Sequence, residues 1–129
     1  MIKKKNLIYI TETSLPTKSA NIINSLKFCD SLSNFYNVIF FVPNNRLNKQ
    51  KIKEIYNLKN NIKFINLINK SITGFISRYF FCLKVVLKLI SEKKNIIIIG
   101  RSIITSLILT SINISNTLEL HHAPSSFSK

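Results

Sequence analysis

The side chains with the most chemistry to offer lie together near the end of the sequence, in Leu118-Glu119-Leu120-His121-His122-Ala123-Pro124. Titratable groups in or beside an apolar run cost free energy unless a ligand or a partner group uses them. The run reads as a short strand emerging into a loop, and open α/β sheets place their ligand contacts just beyond such strand ends. Glu119 alternates with Leu118 and Leu120, so it is expected to face away from them, toward Arg101 or a solvent gap. His121 stands at the strand end and His122 beside it is expected to be exposed. A single histidine there is more often a hydrogen-bonded structural residue than a catalyst. The sequence stops a few residues later, so the expectation is one half of a site.

Two other stretches could touch a ligand. Glu12-Thr13-Ser14-Leu15-Pro16-Thr17-Lys18-Ser19-Ala20-Asn21 leads into a helix start, where free N–H groups and the helix dipole favour anions. Pro16 fixes a turn in it and Ser19 suits the N-cap. A dinucleotide or P-loop cradle would need several glycines here, and the whole chain has only 2. An ordinary capped loop is as good a reading as a ligand loop. Gly100-Arg101-Ser102 follows another strand. The glycine would permit a sharp exit, and Arg101 would project either into a cleft or simply into solvent. Metal-ligand spacing is absent, since the histidines are adjacent and no cysteine or acidic cluster accompanies them. No serine stands in a nucleophile-elbow context.

The elements that would position these residues follow from hydrophobic patterning. Short continuous apolar runs at 7–10, 38–42 and 96–99 read as strands buried on both faces, as in parallel sheets. Residues 62–68 and 116–120 complete the predicted strands. Helical spacing runs over 20–32 and 71–92, with a shorter helix over 102–110 and a short surface helix around Ile52, Ile55 and Tyr56. In the longest helix Ile72, Phe75 or Ile76, Tyr79, Leu83, Val86 or Leu87 and Ile90 are expected to share the core face, with Arg78, Lys84 and Lys88 opposite. Strand–helix alternation predicts an α/β fold: one Rossmann-like domain over 1–129, a parallel sheet of five or more strands with helices on both faces.

Composition narrows the function classes. The net charge of +14 invites a nucleic-acid reading, but the cations are scattered and mostly lysine, whereas arginine is the usual bidentate reader of bases and phosphates. A solvated lysine-rich surface fits better, and an anionic membrane face is the best functional use of diffuse charge. The 2 cysteines, Cys29 and Cys82, lie far apart in helical patterns and read as buried, reduced thiols of a cytoplasmic protein. The apolar stretch 7–10 is too short for a signal-peptide core, and Arg78, Lys84 and Lys88 interrupt the most hydrophobic region, 72–90.

Several segments, in order, carry a resemblance. They are Leu15-Pro16-Thr17-Lys18-Ser19-Ala20-Asn21, then Leu26-Lys27-Phe28-Cys29-Asp30-Ser31-Leu32, Val42-Pro43, Ile99-Gly100-Arg101-Ser102 and Leu118-Glu119-Leu120-His121. Together they resemble the N-terminal domain of retaining GT-B glycosyltransferases of family 4. The subgroup concerned has P-x-x-S-A-N leading into its first helix, a K-M-C-like segment within that helix, R-S after the fourth strand and E-L-H after the fifth. Phe28 stands here in place of the methionine.

The resemblance implies transfer of a sugar from a nucleotide-sugar donor to a glycan or lipid-linked acceptor, with no other cofactor. His121 would be the catalytic contact to the reacting sugar or acceptor. Pro16, Ser19, Asn21, Arg101 and Glu119 would line the acceptor side of the cleft. The donor-binding domain, with its paired glutamates, is not in this sequence, so the expectation is a truncated or split form inactive alone. Members acting on lipid-linked acceptors often sit on the inner membrane face. Phe81 and Val85, among Arg78, Lys84 and Lys88, could dip into that interface, unless other structure covers them. The competing class is a non-enzymatic Rossmann-like module that binds anionic glycans, lipid head groups or RNA through its lysines.

Overall fold

A computed structural model describes residues 3–92 and 95–120. The elements run β1 (Asn6–Ile10), α1 (Ala20–Leu32), β2 (Asn37–Val42), α2 (Lys49–Tyr56), β3 (Lys63–Asn66), α3 (Phe75–Ser91), β4 (Ile96–Gly100), α4 (Ile103–Ser111) and β5 (Thr117–Leu118). The five strands form one all-parallel sheet in the order β3-β2-β1-β4-β5. The three inner strands β1, β2 and β4 are short apolar runs rich in β-branched and aromatic residues, which suits strands covered on both faces, whereas the edge strands β3 and β5 are shorter and less buried.

Side-chain alternation divides the core into two layers. Leu7 and Tyr9 of β1 and Val38, Phe40 and Val42 of β2 pack against Ile22, Leu26 and Cys29 of α1 and Ile52 and Tyr56 of α2. Ile8, Ile10, Phe41 and Ile98 face the opposite way, against Phe81, Cys82, Val85 and Val86 of α3 and Leu109 of α4. Tyr9 stacks on Phe40 with ring centroids 4.9 Å apart, and Phe40 meets Phe64 at 5.5 Å. Cys29 and Cys82 are both free and buried, in different layers on opposite sides of the sheet.

Asparagine does much of the work that glycine usually does. The four positive-φ residues among those described are Asn57, Asn69, Asn95 and Asn113. Asparagine tolerates the left-handed region better than other residues with a Cβ. Asn57 and Asn113 let α2 and α4 close, through Leu58 N–H to the Lys53 carbonyl (3.0 Å) and Ile114 N–H to the Leu109 carbonyl (2.8 Å). Gly100, by contrast, has no positive φ. It lies in β4, opposite Ile10, and a Cβ there would meet the Ile10 Cβ at 3.5 Å, an ordinary contact. The sharp exit expected of this glycine is therefore not made by left-handed backbone.

The longest helix corrects the sequence reading most. Its buried face is Phe81, Cys82, Val85, Val86 and Leu89. Tyr79, Leu83 and Ile90, expected in the core, are exposed, and Phe81 and Val85, left open between a membrane interface and cover by other structure, are fully buried. The helix is apolar nearly all round, so periodicity did not single out one face; contact with Ile8, Ile10, Phe41 and Ile98 did. Nor does Arg78 group with the lysines, since it pairs with Glu12 in the loop after β1. The α2 helix is likewise less superficial than expected: of its three apolar residues Ile52 and Tyr56 are buried and Ile55 is in solvent.

Candidate functional site

The strand order reverses direction between β1 and β4, and the carboxyl ends of that pair are where open α/β sheets bind ligands. A polar cluster occupies this place. The Tyr9 hydroxyl donates to Glu119 Oε2 at 2.5 Å and lies 2.7 Å from Ser25 Oγ. The phenol has one proton, and a carboxylate takes it in preference to a hydroxyl. Ser25 Oγ has a single proton to donate, to the Tyr9 oxygen (2.7 Å) or to the Asn21 carbonyl (2.9 Å), and accepts from Arg101 Nη1 at 3.5 Å.

Backbone pairing sets the positions of these groups. Arg101 N–H donates to the Ile10 carbonyl (3.0 Å), carrying the ladder one residue past β4. Glu119 N–H donates to the Gly100 carbonyl (2.8 Å), doing the same for β5. Glu119 continues the parity of Thr117, which pairs with Ile99, so its side chain lies on the α1 side of the sheet with Tyr9. Ser25 is buried on the inner face of α1. Burial, and then the bond to Glu119, push the Tyr9 phenol well above its ordinary value of 10.0. Burial, with the Glu119 charge second, likewise raises the Cys29 thiol. Both groups are therefore neutral at physiological pH, and the tyrosine acts as a hydrogen-bond donor.

Of the residues picked from sequence, Arg101 and Glu119 come together here, joined through Ser25 and Tyr9. Asn21 contributes its carbonyl. Pro16 and Ser19 are exposed and have no bond to the cluster. The loop around them is tied to other elements instead. Leu15 is buried and bridges to Asn45, Leu15-Pro16 is a cis bond, and Tyr56 Oη both accepts from Thr17 N–H and donates to its carbonyl. Ser19 takes the N-cap position of α1 with its backbone alone, since its hydroxyl makes no cap bond. His121 and His122 lie outside the described residues.

Sequence reasoning missed Tyr9 and Ser25. A signal existed for the first: a tyrosine in the middle of a buried apolar strand must find a partner for its hydroxyl. Ser25 gave none, because a serine on a helix looks the same whether it faces water or a strand. Nearby, Glu12 Oε1 lies 2.9 Å from Arg78 Nε as an ion pair without hydrogen-bond alignment. The Ser14 hydroxyl is buried without a hydrogen-bond partner. Arg78 also lines a shallow hollow of about 310 Å³ with Ile72, Thr73, Gly74 and Phe75.

Fold and site together define a class: a single Rossmann-like α/β domain with a neutral tyrosine, a carboxylate and an arginine at its switch point. No family model matches the chain, and no curated protein or solved structure matches it. Among the described residues no cluster of histidine, cysteine and acidic side chains is placed to hold a metal ion.

Proposed function

We propose that this domain is the acceptor-side half of a nucleotide-sugar-dependent glycosyltransferase of the GT-B kind, holding a glycan or lipid-linked acceptor for a retaining transfer. The observation that carries the reading is the Tyr9–Ser25–Arg101–Glu119 cluster at the carboxyl ends of β1, β4 and β5. Sugar hydroxyls are both donors and acceptors, and a carboxylate and a guanidinium linked through Tyr9 and Ser25 supply both kinds of partner. A carboxylate can accept about four hydrogen bonds, so Glu119 can serve Tyr9 and a ligand hydroxyl together. Tyr9 and Ser25 hold the pair in place, which favours orientation of a bound acceptor.

The nucleotide portion of the donor is assigned to a second body. The loops after β1 and β4 contain no glycine-rich stretch through which backbone N–H groups could wrap a pyrophosphate. His121, two residues after Glu119, is on this reading the residue that contacts the reacting sugar or acceptor. On the same reading Pro16, Ser19 and Asn21 would meet the acceptor from the α1 side.

The test is amide-resolved NMR of the labelled chain titrated separately with maltose, diacetylchitobiose, p-nitrophenyl glycosides, UDP-glucose and GDP-mannose. A saccharide probe should shift Tyr9, Ser25, Arg101 and Glu119, and Arg101→Gln should abolish that shift. Shifts at these amides from the nucleotide-sugars, with none from any saccharide, would overturn the assignment.

A further inference from the structure

The α3 helix is apolar on the side that the sheet does not cover. Ile76, Tyr79, Phe80, Leu83, Leu87 and Ile90 are exposed, Ile76 at 89% and the least, Phe80, at 44%. At 3.6 residues per turn they form a stripe about 100° wide, roughly opposite Phe81, Val85 and Leu89. Beside α3 on the same sheet face, α4 also leaves Ile103 and Leu107 in solvent. Contiguous apolar surface of this kind marks a place where something docks.

Charge identifies what docks. The helix contains no acidic residue, and Lys84 and Lys88 follow the stripe along one border. The Lys84 ammonium stands 5.3 Å from the centre of the Phe80 ring, so the cation is held at the edge of the apolar surface. At the amino end of α3 the stripe runs into a hollow of about 700 Å³, lined by Lys70, Phe75, Ile76 and Phe80 among others. A second copy of this chain is a poor occupant. Each copy carries +14, and a two-fold contact through the stripe would set these lysines against their own equivalents.

Among the described residues no helix is long and apolar enough to cross a membrane. Apolar side chains bordered by lysines on a helix that does not span match the chemistry of an anionic bilayer surface. We propose that the α3 face docks this domain on an anionic lipid bilayer, with α3 in the interfacial plane, the stripe among the acyl chains, and Lys70, Lys84 and Lys88 at the phosphates. This surface lies on the opposite side of the sheet from the Tyr9–Glu119 cluster, and the proposal does not rest on the cluster's function.

The test is co-sedimentation of the intact chain with vesicles of phosphatidylcholine alone or mixed with phosphatidylglycerol. The chain should pellet with the anionic vesicles, and added salt should weaken binding without abolishing it. The exposed-site variant Ile76→Ser/Leu83→Ser/Leu87→Ser should lower partitioning roughly tenfold or more, with far-UV circular dichroism unchanged. Lys84→Gln/Lys88→Gln should reduce the preference for phosphatidylglycerol. A second reporter works without disrupting the stripe: the natural chain has no tryptophan, so Leu83→Trp gives one indole whose emission should shift to the blue on anionic vesicles. Unshifted emission would overturn the proposal. So would undiminished vesicle binding by the serine variant, or a stripe-dependent dimer that ignores vesicles. Stripe-independent binding that polyuridylate competes away would overturn it in favour of a lysine-driven polyanion surface.

Discussion

The Tyr9 hydroxyl donates to the Glu119 carboxylate across a separation of 110 residues, joining the central strand of the sheet to its last. Ser25 attaches α1 to the same bond, and Arg101 reaches Ser25 from the end of β4. The candidate site and the closure of the sheet edge thus share one set of hydrogen bonds.

Removing that hydroxyl tests its structural share. Tyr9→Phe keeps the ring stacked on Phe40 and deletes only the donor. A hydrogen bond to a charged acceptor contributes about 2 kcal/mol, so the urea midpoint should fall by that equivalent with the slope unchanged. A loss below about 0.5 kcal/mol would show that water replaces the bond at no cost.

Alkaline pH should destabilise the domain. In the folded chain the Tyr9 phenol and Cys29 thiol are raised above their ordinary values of 10.0 and 9.0, so folding favours their protonated forms. That contribution is fully present below about pH 9 and is lost as pH rises through the unfolded and toward the folded values. Each group can steepen the fall by up to about 1.4 kcal/mol per pH unit. Urea midpoints measured from neutral pH upward should show the decline, and Tyr9→Phe should flatten the part above pH 10. Both thiols should resist a water-soluble disulfide reagent until the chain unfolds, because both are buried.

Asp30 should matter more to stability than its place near the end of α1 suggests. Its carboxylate accepts from Lys59 N–H at 2.9 Å and Asn60 N–H at 2.7 Å, tying α1 to the loop after α2. Asp30→Ala would strip both amides of their acceptor and should cost about 3 kcal/mol by chemical denaturation. Asp30→Asn, which retains one acceptor oxygen, should cost less.

Glycine and asparagine should behave opposite to their reputations. Gly100→Ala puts a methyl at ordinary distance from Ile10 in extended backbone, and should be neutral or stabilise by about 0.5 kcal/mol. Asn113→Ala, at φ 60°, should lose about 1 kcal/mol, whereas Asn113→Gly should lose nothing. Thermal midpoints of the three variants give the ranking.

The sequence by itself determined the order and kind of the elements. Buried parallel strands must be continuous apolar runs, and β1, β2 and β4 show that pattern without reference to any other part of the chain. Element ends were less legible: β3 and β5 are shorter than the predicted 62–68 and 116–120, because a strand extends only as far as a neighbour pairs with it. The tertiary structure alone decided which side of α3 is core. Leucines, isoleucines and phenylalanines surround that helix, so only the sheet could choose Phe81, Val85 and Leu89 and leave Ile76, Leu83 and Leu87 in solvent. It alone decided the site as well. Glu119 and Arg101 were readable as residues beyond strand ends, but Tyr9 and Ser25 became their partners only when β1, α1, β4 and β5 met in space. A local pattern encodes which groups a segment must bury. Which distant groups satisfy them is a property of the packed sheet.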